Sequence, residues 1–165
     1  MRKYFNGITT LEELKREYKR LAMENHPDRG GDLETMQQIN AEYDVMFKLV
    51  GNIHRNSKGE TYTKETNETP DMFKDIIEKL IRMNGIEIEI IGYFIWLSGN
   101  TKIYKEAIKL LGFKWHSTKK MWYKAPEDYR KKNKVSYSIE EIRSMYGSFG
   151  KFQGVGMMEL TDQAI

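Results

Sequence analysis

The stretch Glu24-Asn25-His26-Pro27-Asp28-Arg29-Gly30-Gly31-Asp32-Leu33 decides how the first half of the chain folds. Pro27 disfavours helical geometry at His26, so a helix arriving from the N-terminal side ends near Asn25. The polar run Asp28-Arg29-Gly30-Gly31-Asp32 then reads as a loop. Upstream, Thr10 and Glu13 have the spacing of a capping box, in which the threonine oxygen takes a first-turn amide and the glutamate reaches back. Behind that box Leu14, Tyr18, Leu21 and Ala22 recur at helical spacing and define one apolar face. Downstream, a second helix starts near Leu33 with Met36, Ile39, Tyr43, Met46 and Phe47 on one side. Two amphipathic helices joined by a short loop bury their faces against each other as an antiparallel hairpin.

Further outward the pattern changes twice. Residues 51–69 offer almost nothing to bury and read as a flexible linker. Thr69-Pro70 restarts order with a cap and a first-turn proline, and Phe73, Ile76, Ile77, Leu80 and Ile81 give the next helix an apolar face that Asn84-Gly85 closes. The period then switches to two: Ile86, Ile88 and Ile90 alternate with Glu87 and Glu89, a half-buried strand. Gly92 turns the chain, and Tyr93 to Leu97 returns as an apolar strand that would suit an edge for pairing with a partner. A helix follows on Tyr104, Ala107, Ile108 and Leu111, stopped by Gly112. Phe113 to His116 and Met121 to Lys124 form a second hairpin, and Ser138 with Glu141 opens a short helix. The tail from Gly147 has little periodicity and reads as disordered or extended. The predicted organisation is therefore residues 1–50 as an all-α hairpin domain, 51–69 as linker, 70–146 as a small α+β domain with antiparallel strands, and 147–165 as tail.

Composition bounds what such a chain can do. None of the 165 residues is cysteine, which excludes disulfides, a cysteine zinc site, an iron–sulfur cluster and a thiol nucleophile. His26, His54 and His116 lie far apart, so no metal is expected, and no glycine loop cradles a phosphate; the sequence predicts neither cofactor nor enzymatic activity. No apolar run approaches the roughly 20 residues that cross a bilayer, and residues 1–7 lack a secretory core; a soluble cytoplasmic protein without membrane contact is the expectation. The net charge of +3 hides its distribution, because residues 101–137 carry 11 basic against 3 acidic side chains while residues 1–50 carry 8 against 9. A concentrated basic segment calls for a partner.

His26-Pro27-Asp28, set between two amphipathic helices, resembles the signature of the J domain, the co-chaperone module of DnaJ-type proteins. Tyr18-Lys19-Arg20-Leu21-Ala22-Met23 upstream and Ile39-Asn40-Ala41-Glu42-Tyr43 downstream extend the likeness over about residues 3–50. The resemblance implies a protein-folding role: stimulating ATP hydrolysis by a DnaK-type chaperone. It assigns the trigger to Asp28, its shaping to His26 and Pro27, and docking on acidic chaperone surface to Lys15, Lys19 and Arg20. Pro27 would project the loop, exposing the His26 ring and the Asp28 carboxylate. The segment before the capping box allows only a short first helix, and the linker leaves no fourth. The absence of cysteine excludes the zinc-containing client-binding region of classical DnaJ proteins.

For residues 70–146 the resemblance implies recruitment of a client protein or a nucleoprotein complex. Trp96-Leu97-Ser98-Gly99-Asn100, the following helix, and Leu111-Gly112-Phe113-Lys114-Trp115 with Met121-Trp122-Tyr123 also resemble small β–α–β–β modules found beside DNA-processing domains. Basic residues neutralise phosphate and exposed aromatics stack on bases, which makes Lys114, Trp115, Lys119, Lys120, Trp122, Arg130, Lys131 and Lys132 candidate nucleic-acid contacts. The same aromatic residues equally fit the packed interior of a small sheet. On the alternative reading the chain is a nucleic-acid-binding protein, and its J-like hairpin is only structural.

Overall fold

A computed structural model describes residues 3–56, 58–126 and 136–155. The chain divides into two compact units, Met1–Ile77 and Glu78–Ile165, so the division falls inside a helix and not at residue 70. Helices fill most of the first unit and an antiparallel sheet organises the second, an α+β arrangement in two parts. No helix among the described residues is long and apolar enough to cross a membrane.

In the first unit α1 spans Leu11–Asn25 and α2 spans Leu33–Val50. Thr10 caps α1 by accepting the Glu13 amide at 3.2 Å. Glu13 reaches back one residue further than the capping-box spacing implies, accepting from the Thr9 amide and hydroxyl at 2.9 and 3.1 Å. Leu14, Tyr18, Leu21, Ala22, Ile39, Tyr43 and Met46 are buried, and the Tyr18 and Tyr43 rings meet at 4.5 Å, which seals the hairpin seam. The expected short first helix is absent among the described residues. Residues 3–10 form turns and bends instead, and Glu42 on α2 accepts the amides of Lys3, Tyr4 and Phe5 at 2.6, 2.7 and 2.7 Å. Those three bonds tie residues 3–5 to α2 and let the Phe5 ring insert fully into the core.

The segment read as a flexible linker is built. β1 (Ile53–Arg55) pairs antiparallel with β2 (Thr61–Thr63), so the first unit is not all-α. Polar side chains hold this hairpin to α1: His54 Nδ1 meets Glu12 at 3.1 Å, and Arg55 reaches Glu13 at 3.0 Å. His54 is 3% exposed, so the segment buries an imidazole where apolar residues are lacking. α3 (Pro70–Ile81) follows; its first turns, through Ile77, belong to the first unit.

The second unit is a five-stranded sheet in the order β5-β6-β4-β3-β7. β3 is Ile86–Ile91, β4 Phe94–Gly99, β5 Lys114–His116, β6 Met121–Lys124 and β7 Ser148–Gln153. A 3-10 turn and α4 (Lys105–Leu110) connect β4 to β5, and α5 (Ile139–Tyr146) precedes β7. Two expectations are corrected here. β4 lies between β3 and β6 and offers no edge, and the tail read as disordered or extended supplies a paired strand, β7, which runs along β3 from Glu87↔Gln153 to Ile91↔Ser148. β3 is in turn not half-exposed: Glu89 is 4% exposed, because Arg143 of α5 and Ser148 of β7 bind its carboxylate at 2.7 and 3.0 Å. Burial disfavours that charge, but the Arg143 and Ser148 bonds outweigh it and hold Glu89 below the usual carboxylate range.

Candidate functional site

The loop between α1 and α2 is braced from within. His26 ends α1, its amide donating to the Ala22 carbonyl at 2.9 Å, and Pro27–Arg29 forms one 3-10 turn. The sequence reading exposes the His26 ring, but the structure buries it at 6%. Its Nδ1 accepts the Asp28 amide at 3.1 Å, so the imidazole caps the turn and holds its proton, when neutral, on Nε2. Arg29 Nε donates to the Met23 carbonyl at 2.6 Å, and burial lowers the guanidinium's pKa. Asp32 caps α2 by accepting the Thr35 amide at 3.0 Å.

Gly31 completes the brace. A Cβ there would lie 2.0 Å from the Asn25 carbonyl oxygen, so only glycine lets the chain pass the end of α1. Nothing in the helical periodicity announces this residue; the Gly-Gly pair is its only trace. Within this frame Asp28 alone among the three signature residues is presented, its side chain 49% exposed. The loop therefore fixes one carboxylate at the end of a helical hairpin by tying every neighbour into backbone hydrogen bonds.

The basic residues predicted to flank it are engaged by the chain itself. Lys15 Nζ contacts both Glu68 oxygens, at 3.0 and 2.8 Å, and lies 4.7 Å from the Phe73 ring centroid. Lys19 is 4% exposed, with its ammonium 5.7 Å from the same ring. Phe73 is itself 2% exposed and meets the Tyr18 ring edge-on at 6.1 Å. One turn of α3 is thus seated on the lysine row of α1, anchored also by Lys74 on Asp44 at 2.6 Å. Arg20 is bound by Glu17 and by Glu24 along its own helix, and the Glu17 hydrogen bond, helped by the charge of both glutamates, raises its pKa. The row exists as read, but Lys15 and Lys19 lie beneath residues 68–73. Helical spacing gave the row, and only the tertiary fold could give its cover.

In the second unit the register sorts the predicted nucleic-acid contacts onto two faces. Trp122 pairs with Leu97 and with Trp115, so all three share the face that carries Ile88. Trp122 is 5% exposed, a core residue, and Trp115 stands beside it at 5.4 Å. Lys114 pairs with Tyr123 and shares the opposite face; Lys119 and Lys120 sit in the turn joining β5 to β6. Arg130, Lys131 and Lys132 lie outside the described residues. Phe94, Trp96, His116 and Tyr123, on the face of Lys114, were not singled out as contacts, because which rings share a face depends on pairing register.

The comparisons touch only a small part of the chain. Over 37 residues, 22% of its length, it is 46% identical to DnaJ protein homolog 2 of Allium porrum. That stretch is 9% of the Allium porrum protein, so most of that relative has no counterpart in the match. No family model matches the chain, and no solved structure matches it.

Proposed function

We propose that this protein is a J-domain-type co-chaperone whose first unit presents Asp28 to a DnaK-type chaperone and accelerates ATP hydrolysis there. The observation that carries the reading is the presented carboxylate: Asp28 is open to solvent at the end of a hairpin whose other loop residues point inward or bind backbone. The partial likeness to a DnaJ homologue supports the same reading. The bond-breaking chemistry belongs to the partner. Docking shifts the partner between conformations by as much as it binds one better than the other, so this chain is an activator and not an enzyme. The second unit serves to bring the client or nucleoprotein complex to the chaperone. Single-turnover ATP hydrolysis by a purified DnaK-type chaperone tests the proposal. The wild-type chain accelerates turnover and Asp28→Asn, which keeps the shape and removes the charge, loses most of that effect. No acceleration by folded wild-type protein, or equal acceleration by both, overturns it.

A further inference from the structure

The sheet of the second unit carries an aromatic and cationic face that the co-chaperone reading does not use. Phe94 and Trp96 of β4, Tyr123 of β6 and His116 of β5 lie on it together, opposite the face of Ile88, Leu97 and Trp122. The rings touch in a row: Phe94 to Trp96 at 6.2 Å and 14° between planes, Phe94 to Tyr123 at 6.3 Å and 25°, Trp96 to Tyr123 at 5.3 Å and 34°. His116 closes the row, 6.2 Å from both Trp96 and Tyr123.

Packing alone accounts for rings in a sheet, but not for two further features. Trp96 is 4% exposed, yet among the described residues its indole Nε1–H has no hydrogen-bond acceptor. A buried donor left unpaired is costly, so the ring is not placed there by the requirements of a finished core alone. The second feature is the cation laid over the same ring: Lys119 Nζ is 6.0 Å from the Trp96 centroid. The β5–β6 turn holds it there, since the Lys119 amide donates to His116 Nδ1 at 3.1 Å and the Lys120 amide to the His116 carbonyl at 2.7 Å. Lys120 takes a left-handed φ of 54° at this tip, and both it and Lys114 are exposed.

The acids on this face do not oppose an anion. Glu89, across from Trp96, is bound by Arg143 at 2.7 Å, and Glu87, across from Ser98, has Lys151 at 3.5 Å. The β5–β6 end of the face is therefore positive, within a segment already rich in lysine. A fitting ligand offers flat rings to stack and repeated negative charge. An acidic peptide has only the second, and a duplex hides its ring faces.

We propose that this face binds single-stranded nucleic acid, stacking bases on the partly exposed rings of Phe94 and Tyr123, which the buried Trp96 backs, and holding phosphates with Lys114, Lys119 and Lys120. The alternation of the sheet makes the proposal specific, because Trp115 and Trp122 point the other way and take no part.

Anisotropy of a fluorescein-labelled thymidine oligonucleotide of about 15 nucleotides, titrated with the full chain over a salt series, tests it. Three phosphate contacts give a slope of log K against log salt near −2, and Lys119→Ala flattens that slope by about 0.7. Tyr123→Leu and Phe94→Leu each weaken binding about 5- to 100-fold, the effect of one lost base stack. Trp115→Ala leaves affinity within about twofold, since its face is not the binding face. Circular dichroism checks folding, and Lys119→Ala, at a hairpin tip, decides the matter if the aromatic variants do not fold. Three results overturn the proposal: no binding by folded protein at low salt, a slope indifferent to Lys119→Ala, or displacement of the oligonucleotide by polyglutamate as readily as by unlabelled strand.

Discussion

Glu68→Gln is the substitution whose outcome separates the two roles Lys15 could have. Lys15 meets both Glu68 oxygens at 3.0 and 2.8 Å, and the side chains are 16% and 20% exposed. Fully exposed pairs contribute about 0.2–1 kcal/mol; this one is mostly shielded and two-pronged, so about 1 kcal/mol is the appropriate magnitude. Removing the charge leaves Phe73 in place and shifts the equilibrium between the seated and lifted α3 turn about fivefold towards lifted. If Lys15 and Lys19 dock on the chaperone, the seated turn competes with that docking. Glu68→Gln then lowers, about fivefold, the concentration needed for half-maximal stimulation of single-turnover ATP hydrolysis. Adding Lys15→Met to Glu68→Gln reverses the gain, because the docking charge is gone. Amide hydrogen exchange across residues 66–73 reports independently that the turn has loosened. Faster exchange without any change in half-maximal concentration refutes the reasoning: the lysine row would then serve only to hold its own α3 turn, leaving Asp28 to act without it.

Two further expectations concern the frame around each site. Gly31→Ala drives a Cβ to 2.0 Å from the Asn25 oxygen, so it destabilises the first unit by more than about 2 kcal/mol in urea unfolding and abolishes stimulation. Gly30→Ala, at a φ of 84° with nothing within 4 Å, costs only about 1 kcal/mol. Arg143→Met leaves Glu89 buried without its cation; the penalty is about 2 kcal/mol, below the usual buried-pair range because the Arg143 side chain is 32% exposed to water. Glu89 titrates below its ordinary value of 4.5 in the fold, so its contribution is complete above that pH and is lost as the pH falls through the lower folded value. Wild-type protein therefore loses stability in that acid window, and Arg143→Met, monitored by thermal unfolding, loses much less of it.

The helical hairpin was legible in the sequence because both of its determinants are local. Apolar residues three and four apart fix the faces of α1 and α2, and Pro27 fixes where the first must stop. What periodicity could not give was anything built by polar side chains across long separations. Glu42 accepts three amides from residues 3–5 and ties down a segment that forms turns where a short helix was expected. His54 and Arg55 bind Glu12 and Glu13, and that converts an expected linker into a hairpin. The exposure expected of His26 failed for a local reason instead: Pro27 does end the helix, but the freed Asp28 amide then finds the nearest acceptor, which is the His26 ring two residues back.

In the second unit the alternation of Ile86, Ile88 and Ile90 was enough to place β3, yet alternation has no absolute phase between strands. Only pairing β6 against β4 at Trp96↔Tyr123 and Leu97↔Trp122 shows that neighbouring aromatic residues in the sequence serve opposite faces. Pairing also explains why the tail, read as disordered or extended, gave no strand signal of its own. Phe149 and Phe152 are too few to signal a strand, but β3 is left with an unpaired edge that β7 fills, bringing Ser148 onto the Glu89 carboxylate. That carboxylate would otherwise be a buried anion beside Trp96. Once the Arg143 guanidinium offsets its charge, with Ser148 as a further hydrogen-bond donor, the adjoining aromatic row no longer repels phosphate. α5 thus matters to the proposed nucleic-acid face through electrostatics, and Arg143→Met should weaken oligonucleotide binding while leaving every stacking ring in place.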